Sequence, residues 1–238
     1  MTQTESTTTN QEYVPIFVGE IIICQTIGKL LYQFPERDDI FNLVQEDIFS
    51  QLPMDTDQPE VEKGLNLLKA FTNKLRDQFS DQHFDDIRAD YTRLFIGPGK
   101  VLAPPWESVY YSEERLVFQE QTLKVRAWYR RFALEAEKIH NEPDDHIGLE
   151  LAFLAHLASL GLQAIENQDE GALNNTLEAQ RQFLREHPLK WARLWCELVD
   201  EHAQTDFYRG LALLTWGVLK EIAALLEVEM PKEVVRWT

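Results

Sequence analysis

The sequence predicts an all-α fold, and three observations point to it. Apolar residues recur at steps of three and four along nearly the whole chain. No segment sustains the two-residue alternation of a half-buried strand, and no Asn-Gly or Asp-Gly pair marks a hairpin. No repeat of about 20–50 residues divides the chain. The expected architecture is a helical bundle of about nine or ten helices in two subdomains joined by a Pro/Gly-rich hinge loop. Residues 1–12 form a disordered tail, 13–95 an N-terminal helical subdomain, 96–115 a hinge and binding loop, and 116–238 a C-terminal helical subdomain.

The helical stripes follow in order. Ile23, Ile27, Leu30, Leu31 and Phe34 form the first, closed by Pro35, and Ile40, Phe41, Val44 and Ile48 form a short second one. Val61, Leu65, Leu68, Phe71, Leu75 and Phe79 step on without a break. Ile87, Tyr91, Leu94 and Phe95 follow, stopping at Gly97-Pro98. Beyond the loop, Val125, Trp128, Tyr129, Phe132, Ala136 and Ile139 share one face. Asn141-Glu142-Pro143 then restarts the chain. Pro143 suits a first helical turn, and Asp144 and Asp145 place charge at the helix start. This helix, to about Ile165, is apolar nearly all round and reads as central. Three more stripes run through Leu173 to Leu184, Trp191 to Leu198 and Phe207 to Leu225, parted by Pro188 and residues 204–206.

A chain of 238 residues with 44% apolar content can bury its own core without a disulfide or metal. Its net charge of −17 argues against nucleic acid and suits a basic partner. The N-terminus lacks the positive stretch of a secretory leader, Lys29 being the first basic residue. Glu150, His156 and Gln163 interrupt the longest apolar stretch, Ile147 to Ile165, so no integral membrane segment is expected. Cys24 and Cys196 sit in apolar surroundings and read as reduced core residues, with a bridge left open. A reducing, cytoplasmic compartment fits all of this.

The loop GPGKVLAPPWESVYYS, Gly97 to Ser112, combines three prolines with Trp106, Tyr110 and Tyr111. Rigid prolines beside aromatics suggest a surface for something apolar and extended. GPGK is not a phosphate loop: Leu94 stands where the first glycine belongs, and Val101 replaces the Ser or Thr. Tyr91, Leu94 and Phe95, with Pro105, Trp106 and Tyr110, are candidates to line an apolar groove. In EPDDHIGLE, Asp144, Asp145, His146 and Glu150 admit two further readings. One is carboxylates docking a cationic ligand; the other is a metal-dependent hydrolase centred on those four residues, although no HExxH or second carboxylate-histidine pair accompanies them. No nucleophile elbow or Cys-His pair is present, and no catalytic residue is assigned.

Three blocks resemble the TorD/DmsD family, the cytoplasmic maturation chaperones of molybdenum-containing reductases. They are DYTRLFIGPGKVLAPPWESVY (Asp90–Tyr110), NEPDDHIGLEL (Asn141–Leu151), and HPLKWARLW (His187–Trp195) followed by DFYRGLALL (Asp206–Leu214). The resemblance implies a non-enzymatic, system-specific chaperone. Such a protein binds the twin-arginine signal peptide of a reductase of the dimethyl sulfoxide or trimethylamine N-oxide type. It assists molybdopterin insertion into the apo-form catalytic subunit before Tat export. The resemblance further implies a monomer or domain-swapped dimer, and guanine nucleotide binding in some members with no resident cofactor. Carried onto this sequence, its peptide-binding residues are Tyr91, Leu94, Phe95, Pro105, Trp106, Ser108, Tyr110, Asp145 and His146. Glu107, Asp144 and Asp145 are the candidates for the arginine pair, and the aromatic set for the apolar stretch. Tyr91 stands where a relative has Trp, Gly99 where it has a large aromatic, and Gln119 where it has Gly. The acidic segment 36–62, nine acids against Arg37, has no assigned role.

Overall fold

The computed structural model describes residues 3–53, 56–112, 114–134 and 142–232. Ten α-helices and no strand occur among them, as the apolar periodicity predicts. They are α1 (Gln3–Tyr32), α2 (Arg37–Gln45), α3 (Ile48–Gln51), α4 (Pro59–Leu75) and α5 (Asp81–Tyr91). After the loop come α6 (Glu120–Arg131), α7 (Ile147–Glu166), α8 (Glu170–Glu186), α9 (Pro188–His202) and α10 (Asp206–Leu225). Thr92–Ile96 is a π-helical turn that leads into the loop, and Glu107–Tyr110 is a 3-10 turn within it.

Two long helix pairs organise the bundle, α1 on α7 and α4 on α10. Both cross where glycines let backbones touch. A Cβ on Gly148 would lie 2.6 Å from the Gly28 carbonyl oxygen, and one on Gly64 would lie 2.8 Å from that of Gly210. Each pair joins a helix from before the loop to one from after it. One apolar core therefore draws on both halves, with Phe17, Ile27 and Leu68 packed in the same cluster as Leu154, Trp191 and Leu219. The expected division at residues 96–115 does not divide this core. The apolar faces of α1 and α4 are covered by α7 and α10 rather than by each other.

Several boundaries differ from the periodicity. The backbone of residues 3–12, expected as a disordered tail, continues α1. The 40–48 stripe breaks into α2 and α3 because Asp47 turns left-handed, at φ 51°. The 61–79 stripe ends at Leu75, and Phe79 lies beyond it against Phe41. α6 stops at Arg131, followed by Ala133 at φ 57°, and its expected Ala136 and Ile139 lie outside the described residues. α7 begins at Ile147 rather than at Pro143; the side chain of His146 caps it, and Asp144 and Asp145 are engaged elsewhere.

Asn10–Tyr32 and Ile147–Glu166 are long and apolar enough to cross a membrane. Here they pack on one another, with Phe17 seated where a Cβ on Gly161 would clash. Cys24 and Cys196 are free and buried, and burial pushes the Cys196 thiol up to about 12.

Candidate functional site

The loop 97–112 is fastened at four points. At its start, Gly97 adopts φ 97°, a conformation open to glycine, and its N–H closes the π turn on the Thr92 carbonyl at 2.7 Å. The Ala103 N–H then donates to the Leu94 carbonyl at 2.9 Å. Further on, the Ile147 N–H donates to the Pro105 carbonyl at 2.8 Å and the Glu107 N–H to the Asp145 carbonyl at 2.9 Å. This short antiparallel bridge sets Trp106 opposite His146. Finally, the Tyr110 hydroxyl returns to the Pro104 carbonyl at 2.8 Å while its ring lies on Trp191.

The polar candidates are the clasp for this loop. Asp145 is fully buried: one carboxylate oxygen accepts the Ser108 N–H at 2.6 Å and the other the Thr122 hydroxyl at 2.8 Å. Asp144, also fully buried, holds the Arg126 guanidinium at 2.6 Å. Its backbone carbonyl accepts from the Tyr129 hydroxyl. The His146 Nδ1 accepts the Gly148 N–H at 3.0 Å. Burial pushes this imidazole down to about 3, so it stays neutral and its hydrogen sits on Nε2. Glu107 meets the His187 Nδ1 at 2.7 Å, and Glu150 accepts from the Trp191 indole at 3.2 Å. The negative charge of Glu107 adds to burial in raising the Glu150 carboxyl. Burial holds both above the usual carboxylate range, with His187 drawing Glu107 back.

The sequence reading offers Glu107, Asp144 and Asp145 to two arginines, but the fold places all three inside with internal partners. The physical reason is the loop itself. Its extended backbone leaves the Ser108 N–H without a helical acceptor, which Asp145 supplies, while Asp144 and Glu107 are held by the side chains of Arg126 and His187. The hydrolase reading fares no better. Asp144, Asp145, His146 and Glu150 each turn to a different partner, and no three metal-ligating side chains converge among the described residues.

The aromatic candidates divide. Tyr91, Leu94 and Phe95 are buried: Tyr91 packs on Phe95, Tyr208 and Phe34, and Phe95 stacks on Trp195. Pro105, Ser108 and Tyr110 are buried as well, so these residues shape a floor rather than an open groove. Trp106 is half-buried; its ring meets the edge of His146, which meets Tyr32. No described residue bonds its indole N–H. Phe34, at 44% exposure, covers Tyr91. Trp106 and Phe34 therefore bring aromatic surface to the outside, above a layer made by the other candidates.

The residues sequence reasoning missed are the ones that hold this layer. Asp90 receives the Thr205 N–H and hydroxyl at 2.8 Å and the Arg93 guanidinium at 2.7 Å, tying α5 to the start of α10. Both residues stand in the quoted block DYTRLF. His187, Thr122 and Arg126 carry no local motif that announces a partner so distant in the chain. His187 does open the block HPLKW, where Pro188 starts α9. Glu142, half-buried, adds to burial in raising the Tyr91 phenol.

The helical bundle thus holds the aromatic loop 97–112 against α7 through buried polar contacts such as Asp145 with the Ser108 N–H. The family model described as "Nitrate reductase delta subunit" matches residues 55–197. The chain belongs to this family, which includes the TorD/DmsD chaperones, and such chaperones are not enzymes. It is 34% identical over 146 residues to the "Probable Tat proofreading chaperone DmsD" of Haemophilus influenzae, covering 61% of this chain and 64% of that protein. Identity to the "Tat proofreading chaperone DmsD" of Salmonella typhimurium is 28% over 209 residues, covering 86% and 89%. Identity to the "Chaperone protein TorD" of Actinobacillus pleuropneumoniae is 30% over 137 residues, covering 57% and 61%.

Proposed function

We propose that this chaperone binds the twin-arginine signal peptide of a molybdopterin-containing reductase in the cytoplasm. On this reading it holds back the apo-form catalytic subunit until the cofactor is inserted, before Tat export. The observation that carries the reading is that Trp106, packed on His146, and Phe34, packed on Tyr91, both bring aromatic surface to the outside. A rigid aromatic edge binds an apolar helix or strand with little ordering cost on the protein's side. The names of the relatives and the net charge of −17 support a basic, apolar partner. Burial of ~200–300 Å² of apolar peptide contributes on the order of 5–8 kcal/mol gross. Ordering the peptide offsets much of that, which places the affinity in the micromolar range.

Calorimetric titration with a twin-arginine signal peptide from a molybdoenzyme of the same organism tests the proposal. Control peptides carry alanine for both arginines, or a polar central stretch. Saturable binding weakened by either change supports the reading; no binding to any of them sinks it. Guanine nucleotide as a regulatory ligand is a subsidiary proposal, tested by equilibrium titration of labelled GTP with and without peptide. The monomer or domain-swapped dimer is another, tested by sedimentation.

A further inference from the structure

With Glu107, Asp144 and Asp145 inside the protein, the proposed peptide needs other acids for its arginines. The acidic segment left without a role by the sequence reading provides them. α2 rises directly from Pro35 after Phe34, and a cavity of about 240 Å³ opens between it and the last turns of α1. Leu30, Phe34, Leu43, Phe207 and Tyr208 give the cavity an apolar lining. Its rim carries Glu36, Asp39 and Glu46, all exposed, against one cation, Lys29. Lys29 meets Asp39 at 3.5 Å, in an exposed contact that an incoming arginine displaces at little cost.

A second observation, independent of these acids, points to a polar group of a ligand, such as a peptide backbone carbonyl, at the inner wall of the cavity. Tyr208, 1% exposed, lines the cavity, and no described residue bonds its hydroxyl. Its ring packs on Tyr91 and Phe95, so the cavity backs onto the aromatic layer beneath the outward edge. Phe34 belongs to both: it lines the cavity mouth and covers Tyr91.

We infer that the cleft between α1 and α2 is the seat of the basic end of the peptide. The two arginines lie along Glu36, Asp39 and Glu46, and an adjoining residue enters the cavity, its side chain on the apolar lining and its backbone carbonyl accepting from the Tyr208 hydroxyl. The charge signs are complementary, and guanidinium groups match carboxylates two hydrogen bonds at a time. This inference rests on the signal-peptide reading, and the experiment separates the two.

The probes are a synthetic peptide with two adjacent arginines followed by an apolar stretch, and the same peptide with both arginines replaced by alanine. They are titrated calorimetrically, at low and high salt, into the wild-type chain and the triple variant Glu36→Gln, Asp39→Asn, Glu46→Gln. All three positions are exposed, and far-UV circular dichroism checks that the fold persists. The arginine peptide should bind the triple variant about tenfold more weakly at low salt, the sum of a few exposed pairs, with the gap closing at high salt. The alanine peptide should bind wild type and variant within about twofold. A second variant, Asn42→Trp, places a large ring at the cavity mouth from an exposed position and should weaken both peptides. Unchanged arginine-peptide affinity in the triple variant, with wild-type binding intact, overturns this inference and leaves the chaperone reading standing. An equal loss for both peptides also overturns it, because the acids are then not reading arginine. Failure of the wild-type chain to bind either peptide overturns both.

Discussion

Replacing Asp145 separates two roles that the sequence does not distinguish. If its carboxylate clasps the loop, its loss is felt in stability; if it faces a peptide arginine, its loss is felt in binding alone. In Asp145→Ala the buried Ser108 N–H, now at 2.6 Å from its acceptor, and the Thr122 hydroxyl, at 2.8 Å, both lose their partner. A buried unsatisfied donor costs about 1–3 kcal/mol. The hydroxyl rotates to find relief, while the N–H is fixed by the backbone, so the expected loss is about 3 kcal/mol. Asp145→Asn keeps one acceptor and sets an amide against one donor, for an expected loss of about 1–2 kcal/mol. Urea unfolding followed by circular dichroism should show a lower midpoint with an unchanged slope in both variants. Crossing Asp145→Asn with the arginine-to-alanine peptide should give a coupling energy near zero. The reasoning fails if Asp145→Asn keeps the wild-type midpoint while its affinity for the arginine peptide drops to that of the alanine peptide.

Three more outcomes follow from the same geometry. Burial pushes the Glu20 carboxyl from its ordinary 4.5 up to about 8, against the pull of a hydrogen bond from Gln180. The folded chain therefore keeps a proton that the unfolded chain releases, and stability falls as pH rises from about 4.5 to about 8, by on the order of 3–5 kcal/mol. Glu20→Gln should flatten that part of the Tm-against-pH profile and raise Tm most at pH 8; an unaltered slope would show that Glu20 titrates normally. A Cβ on Gly148 would sit 2.6 Å from the Gly28 carbonyl and 2.8 Å from Tyr32 Cβ, so Gly148→Ala must part α1 from α7. It should cost about 1–3 kcal/mol in urea unfolding, whereas Gly171→Ala, on the exposed side of α8, should be near neutral; equal effects would refute the close crossing. Trp106→Ala removes a half-buried ring whose indole bonds nothing described, so helicity should persist while peptide affinity falls about tenfold. Unchanged affinity would take the loop out of the site.

The helices were legible because each writes its buried face into local spacing. Val61, Leu65, Leu68 and Leu75 need no partner to be recognised as one face of α4, and all four are buried. The helix ends were harder to read. Asp47 breaks one apolar stripe by a left-handed turn, and Pro143 stands four residues before the helix it was expected to open. The candidate site was legible as a set: Trp106, Glu107, Ser108, Asp145 and His146 do meet. Their roles were not legible. Carboxylates in a nine-residue run look like a docking site for cations, and nothing in Asp144 or Asp145 announces Arg126 or Thr122 as its partner.

The sequence by itself determined the all-α class, the order of the helices, the family and the residues that assemble around the loop. Those properties rest on local periodicity and on contiguous blocks. Only the tertiary structure decided which of those residues are inside. Burial is a property of pairs of elements: the packing of α1 on α7 and of α4 on α10 closes the core across the presumed hinge. The loop's unpaired backbone groups then consume Asp145, and the clasp takes Asp144 and Glu107 out of solvent with it. The exposed acids of α2 stand over a cavity that Phe207 and Tyr208 of α10 help to line, a placement that no spacing along the chain reveals.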